Sequence, residues 1–431
     1  MVFLILNINF YKHWIFFLKM KGILVIIDGL GDLPNKKLDE KTPLEAAETP
    51  NMDFLANRGE LGYMYPVKPG FAPGSDEAIV SIFGNELISS TRGQLEARGA
   101  GIKLTRGDLA LRTNFATIDS LKKGNMIDRR SGRTLTTKEA EILEKAINEI
   151  NLPCKFIFKS TIQHRGVLVF KGGFSDNIWG NDVHYHKNPK DKDKICFSKP
   201  LDDDENSQYS ANLLNEFYEK AYEVLKNHPV NKERRKKGLM PANYLLVRGP
   251  GIETPKLKFY KKWISVAYMP LEIGFSQVSG MKIFSFKYPR LKDHDVYENL
   301  YKGLKKVCKV SIKAIKQSYK KYDYAYIHIK ETDIPGHDNK PFEKKLMIEY
   351  IDKKLFFFLK KFAIKKRIKI VVTGDHSTPC KLKTHSADPV PVLFYNNSVP
   401  KEKEFSEKGV KTGSLGRILG RDLLSKFGFT T

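Results

Sequence analysis

The chain has no Cys-x-x-Cys pair. Its four cysteines (Cys154, Cys196, Cys308, Cys380) are spread widely over 431 residues. That excludes a disulfide framework and a zinc ribbon and fits a reducing cytosol. Acidic residues are the scarcer charge: 49 Asp and Glu stand against 74 Lys and Arg, a net charge of +25. A nucleic-acid binder would carry such an excess, and so would a protein with an anionic substrate or a lysine-rich surface. The lysines are scattered through the chain instead of forming one stripe with interleaved aromatics. A solvated surface is the simpler reading, and neither nucleic acid nor membrane is expected as a partner. The densest run, Lys232 to Lys237, reads as an exposed helix end.

A membrane-spanning run of about twenty apolar residues is also missing. The segment Met1 to Leu18 is apolar and aromatic, but Asn7, Asn9, Lys12 and His13 interrupt it. It has neither the basic start nor the small-residue cleavage site of a secretory signal. Residues 1–19 therefore read as a start-site extension, with Met20 the true beginning and a peripheral membrane anchor as the alternative. There is no internal repeat and no low-complexity segment. What is there, 41% hydrophobic and 29% charged residues, describes a globular protein with room for two domains or one large domain with an insertion.

The informative stretch runs from Ile368 to His385. Ile368 to Val372 is a short β-branched strand, broken at Gly374, after which Asp375 and His376 follow at once and His385 comes after a Pro-containing loop. A carboxylate beside an imidazole is a metal-binding pair, and ligands of open α/β sheets sit beyond the carboxyl ends of the strands. The plain alternative is a turn-capping Asp375 and a surface His376. Gly22 to Ile27 is an unalternated apolar run, as suits a parallel strand covered on both faces, and it ends in Asp28. Pro43 to Gly59 reads as a helix capped by Thr42. After the turn Pro73-Gly74, a helix over Ser75 to Phe83 puts Ser75 at its amino terminus, where free N–H groups favour negative charge. Taken alone, Ser75 is most simply an N-cap.

Gly93 to Gly107, rich in glycine and arginine, is expected to leave the core. Residues 108–240 then change character: strands at Leu109 to Ala116, Lys155 to Phe158 and Gly166 to Lys171, and helices at Thr137 to Ile150 and Ser210 to Asn227, suit an inserted second domain. Its His164-Arg165 pair either holds an anion or lies on the surface. Pro241 to Gly251 reads as a strand returning to the first sheet and ending at Arg248, so the core is expected to comprise 20–107 and 241–431. Further strands are expected at Ile264 to Ala267, Tyr324 to Ile329 and Pro389 to Tyr395, with helices at Tyr297 to Tyr319 and Glu343 to Lys361. Asp333 and His337 are spaced i, i+4, but Pro335-Gly336 argues for a loop between them. Three aspartates (28, 333, 375) and three histidines (337, 376, 385) thus gather where one sheet edge could hold two divalent cations through N and O ligands. Such a pair suits phosphoryl transfer, with Ser75 as the nucleophile.

Asp28-Gly29, Gly74-Ser75-Asp76, Asp333-x-x-x-His337, Asp375-His376 and His385-Ser386, in this order, resemble the alkaline phosphatase superfamily. Thr49-Pro-Asn-Met-Asp53, Leu95-Glu-Ala-Arg-Gly-Ala-Gly101, His228-Pro-Val-Asn231, Pro241-Ala-Asn243, Arg248-Gly249 and Thr373-Gly-Asp-His-Ser-Thr-Pro379 resemble the archaeal type of cofactor-independent phosphoglycerate mutase more narrowly. The resemblance covers about Lys21 to the carboxyl end. It implies an α/β fold, an alkaline phosphatase-like three-layer core with a mixed, mainly parallel sheet and a smaller inserted α+β domain. It also implies a cytoplasmic enzyme interconverting 3- and 2-phosphoglycerate through phosphoserine, with two divalent metal ions (Mn, Co, Mg or Zn) and no 2,3-bisphosphoglycerate. One metal would fall to Asp333, His337 and His385, the other to Asp28, Ser75, Asp375 and His376. Arg98, Arg165, Arg248 and Lys330 are the candidates for binding substrate, and His164 for carrying a proton. The family's Asp-x-Asp-Pro-His pattern is matched only by Asn181-Asp182-Val183-His184, without the proline, so Asp182 and His184 carry no assigned role. Another phosphoryl-transfer enzyme of the superfamily (phosphomonoesterase, phosphopentomutase or small-molecule kinase) shares the metal motifs and is the alternative; a non-enzymatic anion or nucleic-acid binder is a remote one.

Overall fold

The apolar run Gly22–Ile27 forms strand β1, buried at every position, because parallel strands of the same kind flank it on both sides. Its neighbours are β10 (Tyr324–Ile329) and β11 (Lys369–Thr373), each parallel to it. The computed structural model describes residues 20–86, 92–183, 193–292 and 294–429; the start-site reading of residues 1–19 lies outside them. β1 belongs to an eight-stranded sheet in the order β13-β2-β12-β11-β1-β10-β8-β9. The remaining strands of that sheet are β2 (Gly59–Tyr65), β8 (Trp263–Val266), β9 (Lys282–Phe284), β12 (Val390–Tyr395) and β13 (Gly416–Leu419). Only β12 runs against its neighbours, β11 and β2. Side chains alternate between two cores: Ile23, Val25 and Ile27 pack with the helix Val296–Ser318 and the helices between Pro341 and Lys366, while Leu24 and Ile26 pack with the helices Ser75–Ile82 and Pro270–Val278. Helices thus cover both faces, giving the expected three layers. No described helix is long and apolar enough to cross a membrane.

A second, five-stranded sheet is antiparallel throughout. It contains β3 (Leu109–Ile118), β4 (Met126–Asp128), β5 (Phe156–Ser160), β6 (Arg165–Phe170) and β7 (Tyr244–Gly251). The strand expected to return to the core sheet is β7, and it pairs with β3 instead. Its apolar stretch Tyr244–Val247 is fully buried and resembles a core strand because helices cover both faces of this sheet too: Glu205–Lys226 on one, Arg92–Gly99 on the other.

Three local expectations change. Pro43–Gly59 is two helices, Pro43–Ala46 and Pro50–Asn57, because Pro50 lacks an N–H and pushes Thr49 out of the helical region. The predicted helix Glu343–Lys361 runs in segments from Pro341 to Lys366 through a wide π-helical turn at Asp352–Phe356. The stretch expected to leave the core at Gly93 instead begins as the helix Arg92–Gly99, with residues 93–97 buried. Its glycines are contact points. A Cβ on Gly93 would lie 2.0 Å from the Ala110 carbonyl oxygen of the smaller sheet, and one on Gly99 would lie 1.8 Å from that of Pro270 in the core. Gly274 answers from the other side, 1.8 Å from the Leu95 carbonyl. This helix is wedged between the two sheets, backbone against backbone.

Adding one methyl group at that crossing should be costly, since neither carbonyl is on a flexible arm. Gly274→Ala is expected to lower the unfolding free energy by about 1–3 kcal/mol. Urea denaturation checks this, and an unchanged midpoint would contradict the close approach.

Candidate active site

Asp28 follows β1, Lys330 and Asp333 follow β10, and Asp375 and His376 follow β11. The three strands are adjacent and parallel, so these residues converge at one sheet edge. Asp333–His337 forms one turn of α-helix, not the expected loop. Pro335 is tolerated because N–H groups in a first turn have no intrahelical partner to lose. The turn aims Asp333 and His337 the same way, His337 Nε2 lying 3.4 Å from Asp333 Oδ2. His385 comes to the same carboxylate, Nε2 to Oδ1 at 3.7 Å. The group expected for one metal is therefore assembled. His376 Nε2 lies 3.1 Å from Asp28 Oδ1 and 3.5 Å from Asp375 Oδ2, which assembles the second.

The donor set fits divalent cations on an internal test. His337 Nδ1 is 2.9 Å from the Lys383 carbonyl and His385 Nδ1 is 2.8 Å from that of Pro73. A carbonyl only accepts, so both rings donate from Nδ1 and present Nε2 toward Asp333 as the atom able to ligate. Second ring nitrogens held by carbonyls, with the others gathered on one carboxylate, are the arrangement of metal-ligating histidines. Asp28 Oδ1 and Asp375 Oδ2 are likewise buried without a hydrogen bond. The two groups are neighbours: the His376 and His385 rings stack at 3.6 Å, and Thr378 Oγ1 donates to Asp333 Oδ1 at 2.8 Å while sitting 3.0 Å from His376 Nδ1. The linking loop is fixed from behind by a buried pair. Asp32 accepts from the Cys380 N–H at 3.0 Å and from Lys344 Nζ at 2.8 Å, and Lys344 also donates to the Thr378 carbonyl.

Ser75 is the first residue of the helix Ser75–Ile82; the cap position is Gly74, whose N–H donates to the Glu77 carboxylate at 2.8 Å. Ser75 is thus not the N-cap. Its Oγ is free to face the site, 3.4 Å from His376 Nε2 and 3.1 Å from Lys330 Nζ. Lys330 is ion-paired with Asp28 and with Glu272 Oε1, the latter at 3.0 Å. Burial would lower its pKa, but Asp28, Glu272 and Asp375 hold it above the ordinary lysine range. Burial and the Asp375 charge push Asp28 up against the pull of Lys330. Burial acts the same way on Asp333, yet His337, His385 and His376 hold it well below the usual carboxylate range. His376 is raised to about 9 by Asp375 and Asp28 despite burial, whereas burial and His376 push His385 down to about 3.

Facing these groups across a cleft is a wall of arginines: Arg92 and Arg112, with Arg129, Arg130, Arg165 and Arg248. The expected Arg165, Arg248 and His164 are therefore brought to the site. His164 is buried, and burial followed by the charges of Arg165, Arg130, Arg133 and Arg112 holds its pKa well below the ordinary value. Arg98 is not brought there; it turns to Thr254 and does not line the cleft. Asp182, which had no assigned role, is buried and accepts twice from Arg129, at 2.6 and 2.7 Å, with Arg248 at 3.9 Å. His184 lies outside the described residues. Two groups were missed in the sequence. His328 is buried on β10, 3.4 Å from Asp375 Oδ2 with Tyr326 OH at 2.8 Å, and Glu272 is buried beside Lys330. Strand alternation was a usable signal for His328, since it shares a face with Lys330 two residues on; Glu272 on a distant helix offered none.

A divalent ion needs a neutral imidazole, so binding through His376 must release its proton. The raised value means that protonated His376 stabilises the ion-free fold below its ordinary pKa of 6.5, a contribution lost as pH rises through about 9. Metal affinity runs the opposite way and should rise about tenfold per pH unit across that window. Calorimetry with Mn²⁺ at several pH values checks this, and an affinity independent of pH would contradict it.

The profile of the family described as 2,3-bisphosphoglycerate-independent phosphoglycerate mutase matches residues 56–231. A protein of that name from Pyrococcus abyssi is 41% identical over 94% of this chain and 96% of its own length. One from Methanocaldococcus jannaschii, named 2,3-bisphosphoglycerate-independent phosphoglycerate mutase 1, is 37% identical over 94% of this chain and 96% of its own. Among solved structures, a Pyrococcus horikoshii protein superposes with a TM-score of 0.70 at 33% identity, covering 95% of this chain and 97% of that one. A cofactor-independent phosphoglycerate mutase from Thermoplasma acidophilum superposes with a TM-score of 0.53 at 30% identity, covering 95% and 99%. With identity of this level sustained over nearly the whole of both partners, the chain belongs to the 2,3-bisphosphoglycerate-independent phosphoglycerate mutase family.

Proposed function

We propose that the protein interconverts 3-phosphoglycerate and 2-phosphoglycerate in the cytoplasm, with Ser75 carrying the phosphoryl group and without 2,3-bisphosphoglycerate. The observation that supports this most directly is the place of Ser75 Oγ. It lies at a helix amino terminus, 3.1 Å from the Lys330 ammonium, beside both ligand groups and opposite the arginine wall. A divalent ion held by Asp333, His337 and His385, and another by Asp28, Ser75, Asp375 and His376, would supply Lewis acidity toward the phosphate oxygens and lower the pKa of the serine hydroxyl.

The chain's own groups define the rest. Ser75 Oγ gives up its proton and attacks phosphorus, the bond to the substrate's 3-oxygen breaks, and that oxygen takes up a proton to give glycerate. The freed glycerate reorients, its 2-hydroxyl loses a proton and attacks the phosphorus of phosphoserine, the bond to Ser75 Oγ breaks, and Oγ takes up a proton again. The amino terminus of the helix Ser75–Ile82 and Lys330 favour the negative charge held on Ser75 between the two steps. Arginine forks of the smaller sheet suit both the carboxylate and the phosphate. Arg165 and Arg248 would bind substrate there, and His164 would carry a proton once the anionic substrate offsets the arginine charges that otherwise keep the ring neutral. Water must be kept from the phosphoserine throughout, a task for the inserted unit at about 108–240, extended by β7.

In a coupled assay, 2-phosphoglycerate should form from 3-phosphoglycerate without added bisphosphoglycerate and with little free phosphate. Phosphate as the main product would refute the mutase reading. Ser75→Ala should leave the fold and most metal binding intact and reduce turnover to below about 1%. Chelation should inactivate reversibly, with Mn²⁺, Co²⁺ and Mg²⁺ restoring activity to different extents.

A further inference from the structure

Beyond the ligand groups and the arginine wall, the smaller unit reaches the core at a point that neither explains. The residue after His337 is Asp338, and its N–H closes the ligand-bearing turn on the Ile334 carbonyl at 3.0 Å. Its two carboxylate oxygens are divided between the two units. Oδ2 accepts from Tyr297 OH of the core at 2.8 Å, and Oδ1 is ion-paired with Arg133 of the smaller unit. Both partners are largely withdrawn from water, at 13% and 28% exposure. One residue further on, the Thr134 carbonyl accepts from His294 Nδ1 of the core at 3.1 Å.

The loop that presents Arg133 is stiff and strained. Ser131, Gly132 and Arg133 all take left-handed backbone conformations, φ 47, 65 and 57°. Such conformations cost about 1 kcal/mol or more at each non-glycine residue and persist only when the surroundings enforce them. Here the surroundings do. Asp128 Oδ1 accepts from the N–H groups of Arg130 and Gly132 at 2.7 and 2.8 Å. From the other side the Arg234 guanidinium, 1% exposed, donates to the Ser131 carbonyl and to both oxygens of Thr134, and pairs with Glu139. A buried arginine thus braces the loop that holds an arginine out.

We infer that Arg133 and Asp338 form a latch that ties the closed position of the smaller unit to the Asp333–His337 turn, so that water is shut out only when that turn is in place. The pair are positioning residues and touch no reacting atom. The inference rests on the mutase reading above, because exclusion of water matters only if phosphoserine must outlive the release of glycerate. It predicts where the reaction fails: without the latch the first step survives, while water competes with glycerate for the second.

The experiment measures 2-phosphoglycerate and free phosphate together in the full chain with Mn²⁺. It compares Arg133→Ala, Asp338→Asn, Arg133→Lys and the exchanged pair Arg133→Asp/Asp338→Arg, alongside the radius of gyration from X-ray scattering. Each single neutral variant should raise the ratio of phosphate to 2-phosphoglycerate about tenfold and enlarge the radius. Arg133→Lys should fall between, and the exchanged pair should return toward the wild-type ratio. An unchanged ratio and radius in folded Arg133→Ala would overturn the latch, as would an exchanged pair no better than the singles. If the wild type itself released only phosphate, the mutase reading would fall and scattering alone would judge the latch: a larger radius in Arg133→Ala upholds it, an equal one refutes it.

Discussion

Unshared negative charge at one sheet edge is the constraint on which the rest of the molecule depends. Asp28, Asp333 and Asp375 arrive there because their strands are adjacent and parallel, and Glu272 joins them from a helix. Burying carboxylates together is unfavourable unless cations or donors answer them. The chain answers with Lys330 and His376, and it brings His337 and His385 to Asp333 through Nε2, each ring held by a carbonyl at Nδ1. Much of the surrounding structure serves to keep this arrangement from relaxing: the Asp32–Lys344 pair behind the loop, Thr378 between the two histidine-bearing groups, and Gly74 capping the helix so that Ser75 need not.

The same charge accounts for the distribution of arginine. A site rich in carboxylates would repel an anionic substrate. The smaller sheet brings Arg112, Arg129, Arg165 and Arg248 to the opposite wall, and several of these are themselves pinned, Arg129 by Asp182 and Arg112 by Glu96 at 2.5 Å. A guanidinium already oriented loses less freedom when it binds an anion than one free in solvent. The overall charge of +25 is a different matter, spread over lysines scattered along the whole chain.

Strand ends were the most legible part of the sequence. Gly22–Ile27, Tyr324–Ile329 and Ile368–Val372 are short apolar runs closed by polar residues, a pattern that places Asp28, Asp333 and Asp375 each beyond a strand end; their meeting at one edge follows from the adjacency of the three strands. Where reading failed, the cause was context that a single chain does not display. Tyr244–Val247 looks like a core strand because helices cover the smaller sheet on both faces as well. Pro335 looks like a helix breaker, and is one everywhere except in a first turn. Arg98 looks like its neighbours in a Gly-Arg-rich stretch, but the helix Arg92–Gly99 turns Arg92 inward and leaves Arg98 with Thr254. Asp182 was set aside for lack of a proline beside it, although what matters is the pair of arginines that it meets.

The glycine-lined helix Arg92–Gly99 has a mechanical meaning of its own. Its backbone lies directly against Ala110 of the smaller sheet at Gly93 and against the core helix Pro270–Val278 at Gly99 and Gly274, while the Gln94 and Glu96 side chains bind the smaller sheet at the Asp108 and Gly251 carbonyls and at Arg112. Such a contact resists displacement of one unit against the other at this point. If the smaller unit moves to admit substrate, it would move least at this helix, and its arginines would travel farther the more distant they are from it. Arg92 sits on the helix itself, bound to Asp76 at 2.7 Å beside the nucleophile. It would remain with Ser75 through such a motion, one fixed positive charge in the arginine wall.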